Sequence, residues 1–431
     1  MAGTLVIPAL PFIGKDLELN SSESSWIFIG YEVMLIVGSV VYGKLAQSFK
    51  LRTLFYVSIV LTTLGGLLAL FSTNLIFLVI ARMIQGASLS APIPLAMIII
   101  NQYFPKKERK KALAYIALAI TLGTGISPVI GGVVTSIFGW KSIFVIISSM
   151  IVLLPYVKSI PNNKIEKTPF SFLAVSLLIA SFLFVLYGIH GNSMFLYFSV
   201  VTWVLFFFVN KKKATLIDLK VLKNKTVITI SVLNLLLMII INSLFFLTPV
   251  FLEDLNGLSS IEIGMILLPG AFLSIVSMKL IGKVASKVGF SVMLPSSIVV
   301  LFVGVGILFM SIGHSAIATS IAFLFIYVGF GTFNSELTNF TSVQLSSTIM
   351  AEGIGISTLF FFTGATFGPA IMGIFLDENL SISNQILTIS TYQLAISGMI
   401  GILCVMFFIV RRAIKVSHYS QTIKQSEIEV S

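Results

Sequence analysis

Gly43-Lys44-Leu45-Ala46 leads into Lys50 and Arg52, and Gly282-Lys283-Val284-Ala285 leads into Lys287 and Gly289. Each quartet closes an apolar run, and the two copies lie 239 residues apart. A cationic cassette repeated at the ends of apolar runs describes a chain made of two similar helical bundles in a membrane. It also marks one end of those helices as the cation-rich side.

The composition agrees. The 431 residues are 57% hydrophobic and 10% charged, with a mean hydropathy of +1.06. Soluble domains carry about 25% charged residues. Apolar runs of about 20 residues, enough to span a bilayer as helix, recur along the chain. A barrel is excluded, because barrel strands alternate apolar and polar residues. The fold class is therefore an all-α membrane protein. The net charge of +11 does not point to nucleic acid, since the cations sit in short loops. Cys404 is the one cysteine, and three scattered histidines make no ligand cluster. No metal or cofactor is expected, and no enzyme activity. Phosphate-binding loops and dinucleotide fingerprints are missing from the sequence, which leaves an ion gradient as the energy source.

The expected spans are helix 1 at Ala2–Gly14 and helix 2 near Trp26–Ala46, then Thr53–Phe71, Leu75–Ile100, Ala112–Phe138 and Ile143–Val157. Helices 7 and 8 fall near Phe170–Gly188 and Met194–Val209. Helices 9 to 14 fall near Val227–Leu252, Ile263–Ile281, Val292–Ile312, Ala316–Leu337, Gly353–Leu376 and Tyr392–Val410. This divides the chain into a bundle at 1–157, two inserted helices with linkers at 158–226, a second bundle at 227–410 and a polar tail at 411–431, to which no fold is assigned. Of the 27 lysines and arginines, all but Lys15, Arg82 and Lys141 fall in one set of alternate loops or helix ends. That side is cytoplasmic by the positive-inside rule, and it includes the C-terminus. The opposite loops carry Asp16, Glu18, Glu23, Glu253, Asp254, Glu262, Asp377 and Glu378.

A second pair supports the repeat. Gly123-Thr124-Gly125-Ile126-Ser127-Pro128 precedes Gly131-Gly132, and Gly364-Ala365-Thr366-Phe367-Gly368-Pro369 precedes Gly373, with the prolines 241 residues apart. Parallel repeats about an axis along the membrane normal are a transporter design. In these motifs the chain resembles the major facilitator superfamily, and most closely its fourteen-helix drug:proton antiporters, which include tetracycline and quaternary-ammonium exporters. Gly43–Arg52 matches the helix 2–3 signature, Arg82-x-x-Gln85-Gly86 that of helix 4, and the helix 5 glycine-proline stretch that of antiporters. Ala9-Leu10-Pro11 and Gly139-Trp140 are smaller matches.

Three departures stand out. Gln47 and Ser286 replace the usual aspartate, and Ser127-Pro128 replaces glycine-proline. The family's helix-1 acid falls on Ala2, so Met1 is expected to be an internal start or an incorrect gene boundary. The resemblance implies two six-helix bundles plus two central helices, with helix 1 truncated.

Arg82 is the most informative single residue. A charge inside a span costs about 3 kcal/mol or more, so it faces a cavity or a partner. The resemblance gives it a role in proton transfer, against a structural arginine bonded to carbonyls. Gln85 and Gly86 share its face. Glu32 lies at a similar depth in helix 2 and is expected either to pair with Arg82 and exchange protons or to face outward and reach the lipid headgroups. Glu336 and Glu352, near helix ends, read as solvated acids. Gly123, Ser127 and Gly131 form a small-residue face on helix 5, and Gly364, Gly368 and Gly373 one on helix 13. Pro128 permits a bend.

Gly43, Lys44, Lys50, Arg52, Gly282 and Lys283 are candidate cytoplasmic gate residues, or topogenic charges only. Asn234, Met238 and Asn242 form a polar stripe on helix 9, which lines a substrate cavity or serves interhelical bonding. Gln85 is likewise a cavity contact or an interhelical bond.

The function expected is export of amphipathic or cationic compounds by proton antiport from the plasma membrane, with small-molecule substrate, proton and lipid as partners, as a monomer. The alternatives are a metabolite transporter on the same fold, or a non-transporting relic.

Overall fold

The computed structural model describes residues 2–161, 171–190, 193–213, 221, 223–345, 347–382 and 388–430. Fourteen helical segments follow one another. Helix 1 is broken into Ala2–Leu5, a 3-10 turn at Ile7–Ala9 and Leu10–Asp16. Helices 2 and 3 are Ser21–Ser48 and Leu51–Leu70. Helix 4 is Leu75–Leu89 followed by Pro92–Tyr103, and helix 5 is Lys106–Phe138. Helix 6 begins at Ser142–Ser148 and tightens to 3-10 over Ser149–Ser159. Helices 7 to 10 are Phe172–His190, Met194–Lys213, Lys225–Asn256 and Ser260–Val288. Helices 11 to 14 are Phe290–Ser311, Ala316–Gln344, Ser347–Ile382 and Ile389–Val430. Among the described residues, ten helices are long and apolar enough to cross a membrane. Helices 5, 7 and 10 contribute shorter apolar stretches.

The breaks have local causes. Pro8 and Pro11 lack an N–H and interrupt helix 1. Pro92 has no N–H to donate to Ser88, four residues back, and the first part of helix 4 stops one residue beyond that serine. The Ser58 hydroxyl of helix 3 takes over, donating to the Ser88 carbonyl at 2.8 Å. Thr62 Oγ1 then donates to Ser88 Oγ at 2.8 Å. Helix 2 starts on a full capping box: Glu23 N donates to Asn20 Oδ1 at 2.7 Å, and Asn20 N to Glu23 Oε2 at 3.0 Å. Helix 9 ends on Gly257 in the left-handed region, φ +66°.

Both Gly-Lys cassettes are helical, on the last turns of helices 2 and 10, rather than loops. The tail beyond Arg412, left without a fold from sequence, continues helix 14 to Val430.

Helices 1–6 pack among themselves, as do helices 9–14. Contacts between the two sets run mainly through helices 2 and 13 and helices 5 and 10. Helices 7 and 8 pair with each other. Helix 7 lies against helix 2, where Ala174, Leu178, Phe182 and Leu186 meet Ile29, Val33, Ile36 and Val37. Exposed apolar side chains such as Leu64, Leu67 and Leu68 on helix 3 and Val200, Val204 and Phe208 on helix 8 suit contact with lipid.

Candidate functional site

Between apolar helices in lipid, hydrophobic burial gives little preference for one contact over another. Close approach therefore depends on small residues and hydrogen bonds. A Cβ on Gly131 would lie 1.9 Å from the Leu5 carbonyl of helix 1. One on Gly132 would lie 2.4 Å from the Ser260 carbonyl of helix 10, and one on Gly264 would lie 2.9 Å from the Pro128 carbonyl. Helix 5 thus presents small residues to two neighbours. Gly131 serves helix 1, while Pro128 and Gly132 form the contact to helix 10. Ser127 Oγ donates back to the Gly123 carbonyl.

Helix 13 divides its work the same way. Gly364 meets Leu235 and Met238, and Gly368 meets Ile239 and Ser243, all on helix 9. Gly373 meets the Ser21 carbonyl, 3.0 Å from its built Cβ, on helix 2. Pro369 lies within this helix. The repeat therefore extends to contacts, because Gly132 and Gly373 sit 241 apart and their partners Ser260 and Ser21 sit 239 apart.

These approaches seal one end of the molecule, the end that carries the acidic loops. Lys15 and Glu253 form an ion pair across it. Ser260 Oγ donates to the Pro8 carbonyl at 3.2 Å. Ser21 N and Ser22 N donate to Asp377 Oδ1 and Oδ2 at 3.0 and 2.7 Å. Trp140 Nε1 donates to Asp16 Oδ2 at 2.9 Å, which joins the loops after helices 1 and 5. Asp377 had no assigned role in the sequence reading. Its signal was available: it lies four residues after Gly373, on the same helix face.

Deeper in helices 1–6 lies a polar cluster. Arg82 is fully buried. Its Nε donates to the Ile27 carbonyl at 3.1 Å, and Nη1 to Gln85 Oε1 at 2.8 Å and to the Ala2 carbonyl at 3.4 Å. Its Cζ stands 4.3 Å from the Tyr31 ring centroid. Arg82 Nη2 and Gln85 Nε2 have no hydrogen-bond partner. Glu32, 8% exposed, faces helix 1, and its Oε1 lies 3.5 Å from a Cβ built on Gly3. The cluster brings Glu32, Arg82 and Gln85 together, but the expected direct pair is not formed. Lys15–Glu253 is the one ion pair among the described residues.

The other candidates are dispersed. Asn234 Nδ2 donates to Ser357 Oγ of helix 13 at 2.6 Å, and Asn242 Nδ2 to its own helix at the Met238 carbonyl, 3.1 Å. Met238 is core, packed under Gly364. Arg52 donates to the Ile160 carbonyl at the end of helix 6, at 3.0 Å from Nη2, so it binds within helices 1–6. Gly43 has open space around it, and Lys50 only precedes helix 3 without a side-chain cap bond. Lys44 is half-buried on the last turns of helix 2. Of Gly125, Gly282 and Lys283 only the helical backbone is described, and the Glu352 side chain lies outside the described residues. Glu336 is corrected. It is 4% exposed rather than solvated, and its Oε2 has no hydrogen-bond partner. No group of His, Cys, Asp or Glu suited to a metal occurs among the described residues.

Comparison with known proteins places this arrangement. The family model of the Major Facilitator Superfamily matches residues 1–369. The riboflavin transporter RibZ of Clostridioides difficile (strain 630) is 23% identical over 396 residues, covering 89% of this chain and 86% of the relative. The quinolone resistance protein NorB of Staphylococcus aureus (strain MSSA476) is 27% identical over 358 residues, covering 79% and 76%. The crystal structure of a mutant of the nucleoside transporter NupG superposes with a TM-score of 0.66 at 14% identity, covering 96% of this chain and 95% of that one. An all-helical membrane fold, two glycine-sealed helix pairs and a family match over most of its length make this chain a transporter of the major facilitator superfamily.

Proposed function

We propose that the chain exports amphipathic or cationic compounds in exchange for protons, by alternating access, with the acidic end outside the cell. The observation that carries the reading is the buried cluster of Glu32, Arg82, Gln85 and Tyr31. A buried carboxylate needs donors or a counter-charge when ionised and neither when protonated. Arg82 Nη2 and Gln85 Nε2 are two buried donors without an acceptor, on the helix next to Glu32. Proton loss from Glu32 would draw its carboxylate toward them, and proton binding would release it. The cluster has a small change in charge that could bias the packing of helices 1, 2 and 4.

Ala2, where the family resemblance implies an acid, gives its carbonyl to Arg82. Glu32 would therefore supply from helix 2 the carboxylate that the resemblance implies on helix 1. Among the described residues the seals between the halves lie at the acidic end, which suits a transporter whose binding region opens toward the cytoplasm.

The test is accumulation of ethidium, tetracycline and a quinolone in a sensitised host, with and without a protonophore. Protonophore-sensitive export of at least one compound is expected. Glu32→Gln should abolish that sensitivity, and adding Ala2→Asp should restore part of it. Unchanged accumulation of all three compounds would refute the exporter reading. A second reading, a metabolite carrier, is favoured by the similarity to a protein named as a riboflavin transporter. Riboflavin and the quinolones are both fused-ring aromatic compounds, so radiolabelled riboflavin belongs in the same assay.

A further inference from the structure

We propose that Asp377 is a gating residue, a latch that holds the acidic end shut by completing the N-terminal cap of helix 2. The inference rests on the alternating-access reading and deepens it. An α-helix begins with backbone N–H groups that have no partner within the helix. In helix 2 each early donor can be followed. Asn20 N is taken by Glu23 Oε2, and Glu23 N by Asn20 Oδ1. The two donors between them, Ser21 N and Ser22 N, go to the two oxygens of Asp377, which belongs to helix 13. One half of the transporter thus supplies the missing half of a cap in the other. The carboxylate also sits at the positive end of a helix of 28 residues, where a negative charge is favoured.

The latch is one-sided. The contact of Gly373 with Ser21 has its repeat partner in that of Gly132 with Ser260, so the glycine seal is common to both halves. The residue matching Asp377 on helix 5 is Ser136, whose hydroxyl donates to its own helix at the Val133 carbonyl, 3.1 Å. The acid has therefore been added on one side to a scaffold the repeat shares. Lys15–Glu253 crosses the same end, but the Lys15 side chain is 66% exposed. Water and salt screen such a pair, whereas Asp377 takes two backbone N–H groups in a fixed geometry. Opening this end breaks both bonds at once.

The experiment reads opening without any substrate. Ser25 is buried beside Gly373 in the seal. In a Cys404→Ser background, Ser25→Cys is labelled with a membrane-impermeant maleimide applied to the acidic side of sealed vesicles. Asp377→Asn keeps one acceptor oxygen but loses the charge, and it brings an amide N–H against a backbone N–H. It should raise the labelling rate roughly ten-fold. Ser21→Pro removes one of the two donors at the first helical position, where proline fits. The extended Asn20, φ −76° and ψ 174°, suits a following proline. It should raise the rate roughly three-fold by the same reasoning, and add little to Asp377→Asn because the two act on one bond. Lys15→Gln should change it less than about two-fold.

An unchanged rate in folded Asp377→Asn overturns the latch, as does full additivity of the two variants. If Asp377→Asn does not fold, Ser21→Pro decides alone, and an unchanged rate again overturns it. Labelling absent in every variant sinks both the latch and alternating access. Labelling that occurs but ignores Asp377 sinks the latch only.

Discussion

Gly132→Ala should open the acidic end without unfolding the protein. A Cβ at this position would stand 2.4 Å from the Ser260 carbonyl oxygen and 3.2 Å from its carbon, with Gly264 Cα at 3.3 Å. All three atoms are backbone, so helix 10 must move as a body. Overpacking of this kind costs about 1–3 kcal/mol. The contact joins helices 5 and 10, from opposite halves, so the cost falls on the sealed state and is relieved when the halves part. A differential of about 1–3 kcal/mol shifts a two-state population about 5- to 150-fold.

Gly364→Ala is the control. Its Cβ would meet the Leu235 carbonyl at 2.2 Å, a tighter clash. It lies between helices 9 and 13, within one half, and penalises both states. Maleimide labelling of Ser25→Cys from the acidic side, with thermal stability in detergent, separates the two effects. Gly132→Ala should label faster with nearly unchanged stability, and Gly364→Ala should lose stability with labelling unchanged. If Gly132→Ala labels at the parent rate while losing stability, the helix 5–10 contact is ordinary packing and the reasoning fails.

Other outcomes follow from single contacts. Ser58→Ala leaves the Ser88 carbonyl only the 3.3 Å bond from Ala91 N, and should cost about 0.5–1.5 kcal/mol, read as a lower unfolding midpoint. Arg82→Lys keeps the charge but cannot span the Ile27 and Ala2 carbonyls together with Gln85. The proposed proton-driven export should fall, while Arg82→Lys protein still purifies as a folded species. Tyr327→Phe deletes a buried hydroxyl with no partner, so thermal stability should hold or rise, and a drop would show that the hydroxyl is bonded. Glu336→Gln should leave folding intact and alter export if this second buried carboxyl joins the cycle. Unchanged export would make it structural.

Hydropathy and charge act segment by segment, which is why the sequence by itself determined the helical membrane class, the helix order, the cationic end and the transporter resemblance. None of these requires knowing how one helix is rotated against another. The repeat was legible for a related reason, since the Gly-Lys cassettes recur 239 residues apart and the glycine-proline stretches 241 apart. The cluster around Arg82 was half legible. The family signature marked Arg82 and Gln85, and depth marked Glu32, but that the arginine goes to backbone carbonyls and the Tyr31 face follows only from helix rotation.

Only the tertiary structure decided which glycine serves which neighbour, because Gly131 and Gly132 point about 100° apart on one helix. It alone showed which end is sealed. It also turned Asp377 from one more loop acid into the missing half of a cap. A cap can be completed from 356 residues away only once the two helix ends meet, and no local pattern records that meeting.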